Sequence, residues 1–278
     1  MAISVVTNVS SLNAQRNLAR TQSSLQSSMQ RLSSGLRINS GADDAAGLAI
    51  SEKLKSKIRS SSQAQRNAND AVSLLQTAEG SMNELSSMLT RMRELAVQSS
   101  TDTVGSTERQ FLHDELDALR QEVDRIAEVT EFNGITLLDG SATSLDFQVG
   151  INATTNDRIT AALADMHATA LGGTTNLASV SLTTKAGAQS ALGVLDEAIT
   201  DISSARANVG ALQNRLQTTI QNLQTAQENL SAANSRIRDV DVAAESANMT
   251  KSNILMQAGV SVLAQANQAP SIALSLLG

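Results

Sequence analysis

The residues of this chain that could do chemistry are few and badly spaced for it. His113 opens the run His113-Asp114-Glu115-Leu116. That order differs from the zinc motif that sets two histidines one helical turn apart, so His113 reads as an isolated surface residue. His167 falls in a separate polar stretch. Asp43 and Asp44 are adjacent, so on a helix their carboxylates point different ways and suit capping rather than metal binding. Gly35, Gly41 and Gly47 match neither the dinucleotide nor the P-loop spacing, and no Gly-Lys-Ser or Gly-Lys-Thr occurs. With no cysteine, disulfide frameworks, thiolate metal sites and cysteine nucleophiles are excluded. The aromatics are Phe111, Phe132 and Phe147 alone, whereas ligand pockets usually draw on such side chains. The sequence therefore predicts no catalysis, no metal and no cofactor.

The elements that would have to position a site are more informative. Leu195, Ile202, Val209, Leu216, Leu223, Leu230 and Ile237 recur every seventh residue. Beside them run Ala198, Ala205, Leu212, Thr219, Ala226, Ala233 and Val240. This is the 3-4 spacing of a helix lying along another helix. From Lys185 to Val240 there is no proline, and a helix of roughly 55 residues would be about 80 Å long. A compact globule of this length has a radius of gyration of only about 19 Å. The expected fold is mainly α, an elongated coiled-coil or helical-bundle rod made by the N- and C-terminal halves, with a small β-hairpin region mid-chain.

Further rows support it. A helix from about Ala45 to Ser100 carries Ala71, Ala78, Leu85 and Met92, flanked by Leu75, Met82, Leu89 and Ala96. A turn follows over Thr101–Thr107, then a helix from about Glu108 to Val129 with Leu112, Leu116, Leu119, Val123 and Ile126 as its stripe. Asn133-Gly134 marks a turn. Leu145, Phe147 and Val149 alternate with polar residues as a half-buried strand does, and Ile135–Leu138 is its expected partner. Ala170–Lys185 is small and polar and reads as a surface excursion.

Charge is distributed unevenly. The net charge of −6 argues against a nucleic-acid binder, which would carry a basic face. Between Met1 and Ala42 the only charges are Arg16, Arg20, Arg31 and Arg37, and from Ser252 to Gly278 there are none. Both ends nevertheless keep helical apolar patterns: Leu18, Leu25 and Leu32, with Met29 and Leu36 alongside, and then Leu255, Gly259, Val262, Ala266 and Ala269. Amides and hydroxyls find partners in a packed interface, whereas unpaired charges are not buried cheaply. The pattern predicts ends buried against other copies. The alternative is that the two ends pair with each other in one chain, a layer two helices thick that leaves apolar surface wet. No stretch of 18 apolar residues and no basic signal-peptide start is present, which taken alone points to the cytoplasm.

The ends also carry a specific likeness. MAISVVTNVSSLNAQRNL at the start, RLSSGLRINSGADDAAGLAISEKL from Arg31, LTRMRELAVQSS from Leu89, EFNGITLLDG from Glu131 and ILMQAGVSVLAQANQAPSIALSLLG from Ile254 resemble bacterial flagellins. The matches are collinear and leave out only about Ser141–Lys185. The nearest rival family, the hook–filament junction proteins, shares the terminal coiled coils. The ending SVLAQANQAPSIALSLLG favours the filament subunit.

The resemblance implies an inner terminal domain from 1–42 plus 241–278, and a helical rod domain over 43–240 with its β element at about 133–165. A short excursion at 166–185 stands in place of variable outer domains. It implies filament assembly through Leu18, Leu25, Met29, Leu32, Leu36, Leu255, Val262, Leu263, Leu274 and Leu277. Leu85, Leu89, Met92, Leu116, Val123, Leu195, Ile202, Val209, Leu216, Leu223 and Leu230 would form the rod seam. It implies polymerisation into an open helical filament for motility, and export unfolded through the flagellar type III channel to an extracellular home. The implied partners are further copies of the chain, an export chaperone at the C-terminal end, and the filament cap and hook–filament junction proteins. Nucleic acid and membrane insertion are not among them. A host Toll-like receptor is a further implied partner, through Arg91, Leu95 and Glu115, with Arg93 and Glu94 nearby; Thr90 departs from the Gln common in strongly recognised members.

Overall fold

The computed structural model describes residues 7–142 and 144–275, with side chains as far as 268. Its helices are α1 (Val9–Ser34), α2 (Ala45–Ser99), α3 (Ser106–Val129), α4 (Lys185–Arg238) and α5 (Val242–Ser275). Its strands are β1 (Glu131–Phe132), β2 (Ile135–Thr136), β3 (Leu145–Gln148) and β4 (Arg158–Ala161). The chain divides into two compact units. One takes the residues up to Ile58 and from Glu228 onward, and the other is Arg59–Gln227. This division falls within α2 and α4. In the first unit Arg238 of α4 pairs with Glu52 of α2 at 2.7 Å. Backbone bonds from Arg37 N–H to the Arg238 carbonyl and from Val240 N–H to the Gly35 carbonyl join the α1–α2 linker to the α4–α5 junction.

Helix ends are set by local chemistry. Asn8 caps α1 by accepting from Ser11 N–H, and Gly35 ends it with φ 71°, a left-handed conformation that suits a residue without Cβ. Asp44 accepts from Gly47 N–H at the start of α2. Asp43 instead binds the Ser40 and Asn39 N–H groups of the linker. Thr184 caps α4 and Asp241 caps α5 in the same way.

The second unit holds the main core. Leu75, Met82, Leu85, Leu89, Met92 and Ala96 of α2, Leu116 and Val123 of α3, and Leu195, Ile202, Val209 and Leu216 of α4 are buried together. The seven-residue row of α4 is therefore a seam for part of its length. Leu223 and Leu230, further along it, are half-exposed.

Two expectations need correction here. Ile135–Thr136 does not pair with Leu145–Val149. Asn133 (φ 52°) and Gly134 (φ 77°) form a two-residue left-handed turn that folds β2 back on β1. β3 pairs instead with β4, setting Leu145 against Ala161 and Phe147 against Ile159. Leu137 and Leu138, assigned to the expected strand, are core residues. The segment 166–185 is not a surface excursion either. Met166, Leu171, Leu177, Val180 and Leu182 are buried in the main core. Ser99 Oγ donates to the Leu182 carbonyl and Arg120 to the Ala178 carbonyl. These apolar residues stand singly among Gly, Thr and Ser, so no period announces them.

Two outcomes follow from this packing. Leu89→Ala should cost the protein about 2–5 kcal/mol, because it opens a cavity in a filled core. Leu223→Ala, at a half-exposed position, should cost clearly less, and denaturant titration of both variants tests the order. Asp139 provides a pH readout. It accepts from the Ser141 hydroxyl, the Thr136 hydroxyl and the Ser141 N–H, which lower its pKa to about 2. A folded pKa below the unfolded value of about 3.9 means that Asp139 stabilises the fold fully above that pH and loses its contribution as pH falls through about 2. Carboxyl-carbon NMR should show Asp139 titrating near this low value, and Ser141→Ala should raise it.

Candidate functional site

Two surfaces stand out. The first is the α1–α5 pair. Asn8 Nδ2 donates to the Ala266 carbonyl (2.7 Å), and Ser11 Oγ donates to Asn267 (2.7 Å). Leu18 packs so closely on Gly259 that a Cβ there would lie 3.3 Å from Leu18 Cδ1. Ser28 Oγ donates to Glu245 at 2.5 Å. Rising numbers on α1 meet falling numbers on α5, so the helices run antiparallel. Arg31 lies 3.8 Å from both Glu245 and Asp43, and Glu245 is itself buried. The Asp43 carboxylate is held below its ordinary pKa, chiefly by the Ser40 backbone and hydroxyl and then by Asn39 and Arg31.

The helix opposing α1 thus comes from the same chain. Leu25 is buried at this contact, while Leu18, Leu32, Leu36 and Leu263 are half-buried. The expected α5 row divides between two faces. Gly259 and Ala266 lie on the partly covered side, while Leu255 and Val262 are about half-exposed, at 49% and 55%. Met29, Val9 and Leu12 of α1 and Ile254 and Val260 of α5 are exposed too. Leu274 falls within α5 beyond the last described side chain, and Leu277 lies outside the described residues. The pair therefore leaves several large apolar side chains open to solvent.

The second surface lies in the other unit. Arg91 donates to Glu115 through Nε (3.1 Å) and Nη2 (2.8 Å), and to Glu94 through Nη1 (3.0 Å). Glu115 first, then Glu94, raise the guanidinium pKa further. Arg93 pairs with Asp196 at 2.6 Å. Leu95 is only 1% exposed, so it underlies this surface and is not part of it. Its place on the core row of α2, one turn beyond Met92 and continuing Leu85 and Leu89, accounts for the difference.

The residues considered for chemistry stay apart. His113 lies 3.8 Å from Asp117, and His167 lies 2.7 Å from Asp165. Among the described residues no group of three or more His, Asp or Glu is placed to hold a metal ion. No helix among them is long and apolar enough to cross a membrane. The sequence reading missed Ser28, Glu245, Ser11 and Asn267 as contact residues. The available signal was Glu245, after which no further carboxylate occurs in the sequence.

Comparison with known proteins places this geometry. The bacterial flagellin N-terminal helical region matches residues 5–143, and the C-terminal helical region matches 192–277. The chain belongs to the bacterial flagellin family. It is 47% identical to a flagellin of Halalkalibacterium halodurans, over 97% of this chain and 98% of the relative. It is 43% identical to the flagellar filament 33 kDa core protein of Treponema phagedenis, over 97% and 98% respectively. The crystal structure of Bacillus cereus flagellin superposes with a TM-score of 0.50 at 34% identity, covering 61% of this chain and 94% of that one. Within this flagellin, the N-terminal region includes α1 and the C-terminal region includes α5, the two helices that form the first surface.

Proposed function

We propose that this chain is the structural, non-enzymatic subunit of a bacterial flagellar filament, and that it assembles through the exposed apolar side chains of its α1–α5 pair. The carrying observation is the exposed apolar set Val9, Leu12, Met29, Ile254, Leu255, Val260 and Val262 on helices whose only charges are Arg16, Arg20, Arg31, Glu245 and Lys251. Membership of the flagellin family supports the reading. Large apolar side chains left this exposed on two paired helices suit cover by a partner. Each side chain removed from water by a neighbouring copy contributes about 1.5–3 kcal/mol. Ordering backbone costs about 1–2 kcal/mol per residue, so a single pair is marginal and the packed lattice is favourable. Contacts between copies that repeat by a rotation without closing generate an open helical filament.

In this reading the subunit is exported unfolded through the flagellar type III channel and added at the growing tip beneath a cap. A chaperone shields the C-terminal end before export, and hook–filament junction proteins seat the first copies. The filament lies outside the cell and serves swimming. The Arg91–Glu115 surface is a candidate contact for a host Toll-like receptor. The accessible elements there are the paired guanidinium and carboxylates, with Leu95 supporting them from the core.

Deleting residues 1–34 or 246–278 should leave a soluble, partly folded protein that fails to elongate seeded filaments. Normal filaments from either deletion in electron micrographs would remove the terminal helices from assembly. For the receptor contact, Arg91→Ala monomer should lose activity in a reporter-cell assay relative to the unmodified protein. Equal activity would exclude Arg91.

A further inference from the structure

The helix α5 does not have one apolar face but several. Ile254, Leu255, Met256, Val260, Val262 and Leu263 point around its circumference, and no charged residue follows Lys251. Apolar patterning therefore does not decide which side of α5 meets α1. Nor does α1 fix the register. Leu18, Leu25 and Leu32 stand seven apart, so sliding α5 by one heptad offers it an equivalent apolar row.

What is not repeated is polar. Ser28 and Glu245 are both buried and bonded to each other, with Arg31 beside the carboxylate. At the opposite end of the pair, buried Ser11 meets Asn267, and Asn8 meets the Ala266 carbonyl. A slip of one heptad in one direction would set Glu245 against Gly35, which has no hydroxyl, and Asn267 against Leu18. In the other direction Glu245 would meet Thr21, whose hydroxyl is already donated to the Asn17 carbonyl. Either slip strands a buried polar group, which costs more than the bond itself contributes. A buried polar contact that fixes the register of paired helices is the best-attested use of such groups.

We infer that Ser28 and Glu245, assisted by Ser11 and Asn267, are specificity-determining residues. They select one register and one rotation of α5 on α1, and so decide which apolar side chains are left for the next copy. The inference rests on the proposed assembly role of the pair only for its consequence; the contacts that set the register lie within one chain.

The absence of native cysteine allows a direct test. Gly259→Cys is combined in turn with Leu18→Cys, which reports the observed register, and with Leu25→Cys, which reports a one-heptad slip and leaves Ser11, Ser28, Glu245 and Asn267 in place. Each pair is placed in the unmodified full chain, in Ser28→Ala/Glu245→Ala, and in Glu245→Gln, which keeps an oxygen for Ser28 to donate to. Disulfide yield after mild oxidation is read on the soluble chain and on the polymer, with cysteine-free protein in excess to suppress links between copies. The unmodified chain and Glu245→Gln should give the Leu18 product. The doubly substituted chain should raise the ratio of slipped to observed product about tenfold. An unchanged ratio overturns the inference, and so does a doubly substituted chain that forms no product in any register, because the apolar rows alone should still pair the helices. Failure of the unmodified chain to polymerise would count against the proposed function while leaving the register result on the soluble chain intact.

Discussion

A pair of helices cannot cover both of its own sides. That constraint governs the first unit, where α1 and α5 bury Leu25 between them and leave Ile254, Leu255, Val260 and Val262 wet. The second unit escapes it by adding layers. α2, α3 and α4 close around a shared row of leucines and methionines, and the 137–182 region packs Leu138, Met166, Leu171 and Leu177 onto the same core. One unit is thus self-sufficient in apolar burial and the other is not. The difference follows from the number of elements available rather than from composition, since both ends of the chain are as apolar as its middle.

Electrostatics follows the same division. The second unit is bordered by exposed ion pairs such as Arg91–Glu115, Arg93–Asp196 and Lys185–Asp102. Exposed pairs of this type contribute little to stability and mainly keep a surface hydrated. The terminal helices use hydroxyls and amides instead, and their main charged cluster, Arg31 with Asp43 and Glu245, sits near the base of the pair. A surface destined for cover gains from neutral groups that find partners in any tight interface.

Much of this was legible from residue spacing. The seven-residue row on α4 and the paired rows on α2 gave those helices to within a residue or two of their observed ends, because long unbroken periodicity has few competing explanations. β3 was readable from the alternation of Leu145, Phe147 and Val149. Its partner was not, because the Asn133-Gly134 turn consumes Ile135 and Thr136 in a tighter hairpin. The burial of 171–182 was hidden because its apolar residues serve a tertiary contact without local period. The face of α5 was hidden for the opposite reason: apolar residues all round it leave rotation unspecified, and the deciding contacts are polar. Leu95 shows a third limit, since a resemblance can group residues that differ in whether solvent reaches them.

Asn8 joins two events at opposite ends of the chain. Its Oδ1 accepts from Ser11 N–H to begin α1, while its Nδ2 donates to the carbonyl of Ala266, 258 residues later. The side chain that begins α1 is therefore held by a carbonyl made 258 residues later. Synthesis order and closure order are reversed, and a truncated product lacking its tail lacks the acceptor that finishes its head.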